Sequence, residues 1–276
     1  MSSRIIRVEE GESSEYGYVP MWHVDDDGNI FEPNLTSSLL MSSQLPERYS
    51  LADDGFLTSV KNQGYTGTCW AHSVVNAAES NLIKNGYATN DIDLSESHLV
   101  YFGNCAYSND VFDFMYHEGN NYGRYKGYLN GGNCFTAQSV LARGSGFVSQ
   151  PENEDVLLGP ELDESVRYES EWLLSDSCIY SKDDIISIKN NILINGALAA
   201  GIYVVNNDIN TQYAQYENED KDPNHSISIV GWDDNFSKEN FDIQPDKDGA
   251  WICKNSWSSE WGDNGYFYLS YFVIEY

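Results

Sequence analysis

Apolar residues recur at steps of three and four in the stretch "CWAHSVVNAAESNLIKNG", which predicts an amphipathic helix. Gly86 is predicted to end this helix. Cys69 is therefore expected at or near the helix N-terminus. The apolar face of this helix comprises Ala71, Val74, Val75, Ala78 and Leu82.

Three later segments predict further helices, in the order "LSESHLVYF", "FTAQSVLARGSG" and "DDIISIKNNILINGA". Ser95 is placed to cap the first of them. The last has an apolar side formed by Ile185, Ile188, Ile192 and Leu193. Residues 103–133 are rich in Gly, Asn and Tyr and are predicted to be loop, whereas residues 1–44 are predicted to be an N-terminal extension of short strands and turns.

The hydrophobic period changes toward that of β-strands after the fourth helix. The predicted strands lie in "LAAGIYVV", "HSISIVGWDD", "GAWICKNSW" and "GYFYLSYF". Because helices come first and strands later, the pattern predicts an α+β protein with an antiparallel sheet.

Charge and hydropathy exclude several classes of partner. The chain carries 15 Lys and Arg against 43 Asp and Glu, a net charge of −28 that repels nucleic acid and anionic lipid. No run of about 18 apolar residues exists, so no membrane span is predicted. The first twenty residues lack the apolar segment of a signal peptide. We expect a monomer that is secreted or on the cell surface, with its leader absent from this chain, and a cytoplasmic location stays open.

The five cysteines are an odd number, so at least one thiol is free. No C-x-x-C or H-E-x-x-H motif occurs, and we expect no metal and no cofactor. A cysteine at a helix N-terminus can instead act as a nucleophile if an imidazole takes its proton and a third group orients that imidazole. His225 opens an apolar strand and Asn255 ends another, which makes them candidates for these two roles.

Three segments resemble the active-site blocks of the papain family of cysteine peptidases, in a style closest to its bacterial members. They are "VKNQGYTGTCWAHS", "DPNHSISIVGWDD" and "WICKNSWSSEWGDNGYFYLSY", and the resemblance runs from about Leu45 to the last strand. It implies a papain-like peptidase domain over 45–276 with two lobes. The helical lobe would occupy roughly 60–180 and the antiparallel sheet lobe roughly 181–276.

The resemblance assigns a role to each matching residue. Cys69 corresponds to the nucleophile, His225 to the general base and acid, and Asn255 to the residue that orients the imidazole. Gln63 corresponds to the side-chain donor of the oxyanion hole, shared with the Cys69 backbone N–H. Trp257 corresponds to the indole that shields the Asn–His hydrogen bond. The residues expected to face a bound peptide are Gly131, Gly132, Asn133, Ser226 and Trp257.

The chain also departs from the family pattern. Thr66 and Leu129 stand where the family has the two halves of one disulfide, and His72 stands where an aromatic is usual. The specificity pocket is expected to be wide and only partly apolar, with Asn133, Cys134, Ser226 and Gly201 beside it. Cys253 is predicted to be a buried free thiol, and Cys105 and Cys134 are the expected pair if any disulfide forms.

The resemblance implies hydrolysis of peptide or protein substrates, as an endopeptidase or an exopeptidase. Two alternatives stay open. One is transfer or cleavage of another acyl group by the same chemistry, and the other is a non-catalytic binding protein that keeps the fold.

Overall fold

The computed structural model describes residues 23–24, 30–31, 45–105, 124–151, 156–204, 209–216, 221–271 and 274–275. Among them are five α-helices: α1 (Cys69–Lys84), α2 (Glu96–Val100), α3 (Arg124–Leu129), α4 (Cys134–Ala142) and α5 (Ile185–Asn195). A π-helical turn, Tyr101–Cys105, continues α2. No described helix is both long and apolar enough to cross a bilayer.

The first helix begins at Cys69, as predicted. Its N-cap, Thr68, makes no side-chain capping bond to the helix. The helix ends at Lys84, and Gly86 follows with a φ of 74°, a left-handed conformation that glycine adopts without strain. Cys69 therefore lies in the first turn, where backbone N–H groups lack intrahelical partners.

The three other helix predictions are confirmed by α2, α4 and α5, and one loop prediction is wrong. Ser95 caps α2 by accepting a hydrogen bond from the His98 backbone N–H at 3.1 Å. Ile188 and Ile192 form the buried side of α5. Within the predicted loop 103–133, however, residues 124–129 form α3, which the glycine-rich pattern concealed. Residues 106–123 lie outside the described part of the chain.

The strands are β1 (His23–Val24), β2 (Ile30–Phe31), β3 (Arg48–Ser50), β4 (Leu198–Ile202), β5 (Ala214–Gln215), β6 (His225–Asp233), β7 (Ala250–Lys254), β8 (Tyr266–Ser270) and β9 (Ile274–Glu275). The main sheet has the order β5-β8-β7-β6-β4-β9, and β3 also pairs with β6. Its pairs are antiparallel except β5 with β8. The separate β1–β2 pair is the described part of the N-terminal extension.

A small cluster of Ala214, Phe241 and Ala250 and two large apolar clusters form the interior of the described part of the chain. One surrounds Trp70 and Phe102 among the helices, and the other surrounds Trp232 and Trp251 in the sheet. The two clusters agree with a helical and a sheet region and with the predicted α+β class. β3 and Leu51 belong with the sheet although they precede the helices. The exact lobe boundaries stay a prediction.

Candidate active site

Cys69 lies at the start of α1 and is fully buried. The preceding loop is fixed against residues 128–131, because the Gly67 N–H donates to the Tyr128 carbonyl at 2.8 Å. Burial raises the pKa of the Cys69 thiol to about 12, while the backbone N–H groups of Ser226 and Trp70 act in the opposite direction. The thiol on its own is therefore protonated at neutral pH, and a thiolate requires a base beside it.

Ser226, whose backbone N–H acts to lower the pKa of the Cys69 thiol, is the second residue of β6. A second contact joins the same elements, since the Oγ atoms of Ser73 and Ser226 lie 2.7 Å apart. Ser226 is buried, and its hydroxyl also donates to the Ala200 carbonyl at 3.3 Å. Ser226 thus fastens the nucleophile helix to the strand that begins with His225.

His225 and Asn255 form the next part of the site. Nε2 of His225 lies 2.9 Å from Oδ1 of Asn255, and both residues are buried. The Ser256 N–H also donates to that oxygen at 2.8 Å, which fixes the orientation of the amide. Because Oδ1 can only accept, Nε2 carries the proton in this pair, and Nδ1 is the ring nitrogen that can exchange a proton with a thiol.

Trp257 covers this hydrogen-bonded pair. Its ring stacks on the His225 imidazole with centroids 4.5 Å apart and an angle of 28° between the planes. Trp261 in turn meets Trp257 edge-on at 5.1 Å. The indole thus covers one face of the imidazole, and the shielding role expected for Trp257 stays a prediction.

Gln63 is held by hydrogen bonds to both ends of its amide. Its Nε2 donates to the Thr66 carbonyl at 2.8 Å, and its Oε1 accepts from the Ser256 hydroxyl at 2.6 Å. The backbone N–H of Gln63 donates to the Ser256 carbonyl at 2.8 Å. The amide is thus fixed before substrate arrives, and Nε2 has a second proton that can be donated to an oxyanion.

Thr66 shows how the chain manages without the family disulfide. Its hydroxyl donates to the Gln63 carbonyl at 2.7 Å and lies 2.6 Å from the Thr68 hydroxyl. A short hydrogen-bonded turn therefore stabilises the loop between Gln63 and the nucleophile. This contact also explains why the Thr68 side chain does not cap α1.

Gly131 and Gly132 lie beside the nucleophile loop, and the backbone conformation requires the first glycine whereas the Trp70 side chain requires the second. Gly131 has a φ of 65°, and a Cβ atom on Gly132 would meet the Trp70 indole at 2.7 Å. Asn104 holds the segment by donating to the Gly131 carbonyl at 2.7 Å. The Asn133 side chain caps α4, accepting from the N–H groups of Phe135 and Thr136 at 2.9 and 3.0 Å. Its contact with substrate stays a prediction.

A cavity of about 560 Å³, which we call the apolar pocket, lies between α1, α4, β4 and residues 172–182. Its lining includes Cys134 and Gly201 but neither Asn133 nor Ser226, so it coincides with the expected specificity pocket only in part. Its walls include Val74, Ala78, Ala137, Leu141, Leu174 and Ala200. The pocket is therefore large, and its lining is more apolar than the small and polar residues expected beside the specificity pocket indicated.

One expectation about the cysteines, the disulfide between Cys105 and Cys134, is wrong. Cys134 is a free thiol at the first turn of α4, so it does not form the predicted disulfide with Cys105. Cys253 is a fully buried free thiol, as predicted. Among the described residues, no three His, Cys, Asp or Glu side chains are grouped as a metal site requires.

The sequence analysis missed two residues that hold the site together. Ser256 bonds both Asn255 and Gln63, and Ser73 bonds Ser226 across the two regions. The adjacency of Ser256 to Asn255 was a usable signal. No local signal marked Ser73, since its partner is 153 residues away.

Known proteins resemble this chain over the region that contains these residues. A family model described as papain family cysteine protease matches residues 45–273. Procathepsin L of Rattus norvegicus is 27% identical over 235 residues, covering 81% of this chain and 60% of that protein. A viral cathepsin of Cydia pomonella granulosis virus is 29% identical over 225 residues, covering 81% and 57%.

A solved structure is similar to this chain in its fold as well as in its sequence. It contains the cysteine protease and lectin-like domains of Cwp84, a surface layer associated protein of Clostridium difficile. The TM-score is 0.70 at 26% identity, covering 97% of this chain and 58% of that one. The chain thus spans 60% or less of the length of these three relatives. The predicted papain-like fold is confirmed.

Proposed function

Because this chain belongs to the papain family of cysteine proteases, we propose that it hydrolyses peptide bonds through a thioester on Cys69. The observation that carries the proposal is the His225–Asn255 hydrogen bond of 2.9 Å beneath the Trp257 ring. The backbone N–H of Ser226, the residue that follows His225, acts to lower the pKa of the Cys69 thiol, which supports placing the thiol near this imidazole. These contacts support a site in which Cys69 is the nucleophile, His225 the base and Asn255 the orienting amide.

In the proposed reaction His225 accepts the Cys69 proton at Nδ1, and the resulting imidazolium stabilises the thiolate that burial disfavours. The thiolate attacks the substrate carbonyl, and Gln63 Nε2 with the Cys69 N–H stabilises the oxyanion. The imidazolium then protonates the leaving amine. Water, activated by the neutral imidazole, hydrolyses the thioester and restores the thiol.

The apolar pocket supports a peptide substrate rather than a small acyl donor. It lies between the helices and the sheet, with Cys134 beside Gly131 and Gly132 and with Gly201 opposite Ser226 in the sheet. A peptide that paired with the glycine backbone could place a side chain into it. We assign substrate contact to Gly131, Gly132, Asn133 and Ser226 on this basis.

We also propose action outside the cell or at its surface. The support is that Cwp84, which matches 97% of this chain, is described as a surface layer associated protein. The expected monomeric state stays a prediction, as does the absence of nucleic-acid partners, which rests on the charge of −28.

The test combines labelling with a peptidyl vinyl sulfone and cleavage of a peptide library. We expect the probe to attach to Cys69 and peptides to be cut. Cys69→Ala should abolish both, and the matched control Cys253→Ala, which removes another buried thiol, should retain them. A Cys69→Ala protein that cleaves as fast as wild type would refute the assignment. Labelling without cleavage of any peptide would favour another acyl substrate.

A further inference from the structure

His72 is a histidine inside the protein, on the same helix as the nucleophile. Only 5% of its surface is exposed, and its Nδ1 lies 2.9 Å from the Thr68 carbonyl. A carbonyl can only accept, so Nδ1 carries the proton of the neutral ring. Nε2 is then an acceptor and needs a donor.

A small cavity adjoins this ring. Its volume is about 20 Å³, enough for one water molecule and no larger ligand. Its lining includes His72, Asn76 and Lys254. Ser226, Asn255 and Ser256 also line it, and of these Asn255 bonds the His225 imidazole while Ser256 bonds Asn255. The cavity therefore lies directly behind the candidate active site.

Asn76 supplies independent evidence for a ligand in this cavity. Its Oδ1 accepts from Lys254 Nζ at 2.6 Å, which fixes the orientation of the amide. Its Nδ2 is buried and has no hydrogen-bond partner within the protein. Asn76 is only 7% exposed, so bulk solvent does not satisfy this donor. Leaving a buried donor unsatisfied is costly, which favours an internal water.

We propose that this cavity binds one water, which accepts from Asn76 Nδ2 and donates to His72 Nε2, and that neutral His72 thereby positions Ser226 and Asn255. His72 is in this view a positioning residue, since it acts on the catalytic imidazole through the water and through Asn255. The effect on catalysis rests on the proposed peptidase function. The water site does not depend on that function.

Protonation of His72 would reverse the role of Nε2 from acceptor to donor. The water could not then accept from Asn76 and donate to the ring at the same time. The charged groups facing the ring are Lys61 from the preceding loop, Glu79 from α1 and Lys254 from β7, and Glu96 of α2 binds Lys61. Two lysines against one glutamate line the cavity, so a third cation there is unfavourable.

The first experiment determines a crystal structure of Cys69→Ala protein at neutral pH and at atomic detail. We expect one ordered water within hydrogen-bond distance of Asn76 Nδ2 and His72 Nε2. A dry cavity would overturn the proposal. This result is independent of whether the enzyme cleaves peptides, so it separates failure of the water site from failure of the proposed function.

The second experiment compares kcat and KM from pH 4 to pH 8 for wild type, His72→Phe and His72→Gln. Phe removes the acceptor, so we expect kcat at pH 7 to fall by roughly two- to tenfold, the value of one neutral hydrogen bond, with KM unchanged. Gln offers an acceptor that does not titrate, and it should rescue kcat.

At pH 4, where about half of His72 is protonated, the wild-type kcat should fall by up to about twofold relative to His72→Gln, because only the histidine can be protonated. Identical pH profiles for kcat in all three proteins would show that His72 is only a core residue. A loss confined to KM would equally contradict a positioning role. If His72→Phe does not fold, the wild-type and His72→Gln profiles together with the crystal structure still decide the question.

Discussion

The two sides of the candidate active site are built by different forces. The catalytic wall, which consists of Gln63, His225 and Asn255–Trp257, is held by hydrogen bonds of 2.6–2.9 Å. The apolar pocket is lined mainly by aliphatic side chains of α1, α4 and β4. Hydrogen bonds fix direction, whereas apolar contacts fix mainly volume.

This difference predicts different tolerance to substitution. In the catalytic wall each amide serves two partners, so a single change removes several contacts at once and affects the chemical step. In the pocket, a change of volume should select among substrates and leave the chemical step intact. The predictions below test this division.

The largest effect is expected in the catalytic wall. Gln63→Ala should lower kcat by about 10²- to 10³-fold with a small change in KM, because the lost donor stabilises charge that develops only in the transition state. Asn62→Ala is the matched control, since it shortens an exposed amide in the same loop. A change in KM alone would show that Gln63 only helps to bind substrate, and the division would be wrong.

The fold and the site differ in how far the sequence predicted them. The helix at Cys69 and the strands beginning at His225 and ending near Asn255 were predictable because each carries a local hydrophobic period. The α3 helix was hidden because its residues are surrounded by Gly and Asn. The Ser73–Ser226 contact and the cavity behind His72 depend on packing between distant segments, and no local pattern encodes such packing.

The next effect concerns stability in acid. Burial lowers the pKa of His72 to about 4, and its ordinary value in an unfolded chain is about 6.5. Between these pH values the unfolded chain binds a proton that the native protein does not, so native stability falls as pH falls through this window. If the native state stays unprotonated across this window, protonation of His72 in the unfolded chain lowers the free energy of unfolding by about 3 kcal/mol.

His72→Phe lacks this proton, so its free energy of unfolding should decline less between pH 6.5 and 4, by up to about 3 kcal/mol. Urea unfolding at each pH in a Cys69→Ala background measures this without self-digestion. Parallel curves for the two proteins would mean that His72 has the same pKa in both states. His72 would then make no contribution to the loss of stability in acid.

A smaller effect is expected in the apolar pocket. Cys134→Phe adds bulk to the pocket wall, so peptides with a large apolar side chain at that position should lose about 10- to 100-fold in kcat/KM. Peptides with alanine there should be cut at nearly the wild-type rate. Cys178→Phe is the matched control, because Cys178 borders the same pocket but is exposed. An equal loss for both peptides would place Cys134 with the catalytic wall.

The smallest effect concerns charge outside both regions. The net charge of −28 should attract peptides that carry Lys or Arg, raising their kcat/KM a few-fold at low salt through faster association. Because the Debye length shrinks to about 3 Å at 1 M salt, this advantage should disappear as sodium chloride is raised. A peptide with norleucine in place of Lys is the control, since it has similar length and no charge, and its kcat/KM should change much less. A Lys preference that persists in high salt would instead indicate a specific contact in the pocket, and a preference for Asp or Glu would exclude long-range attraction altogether.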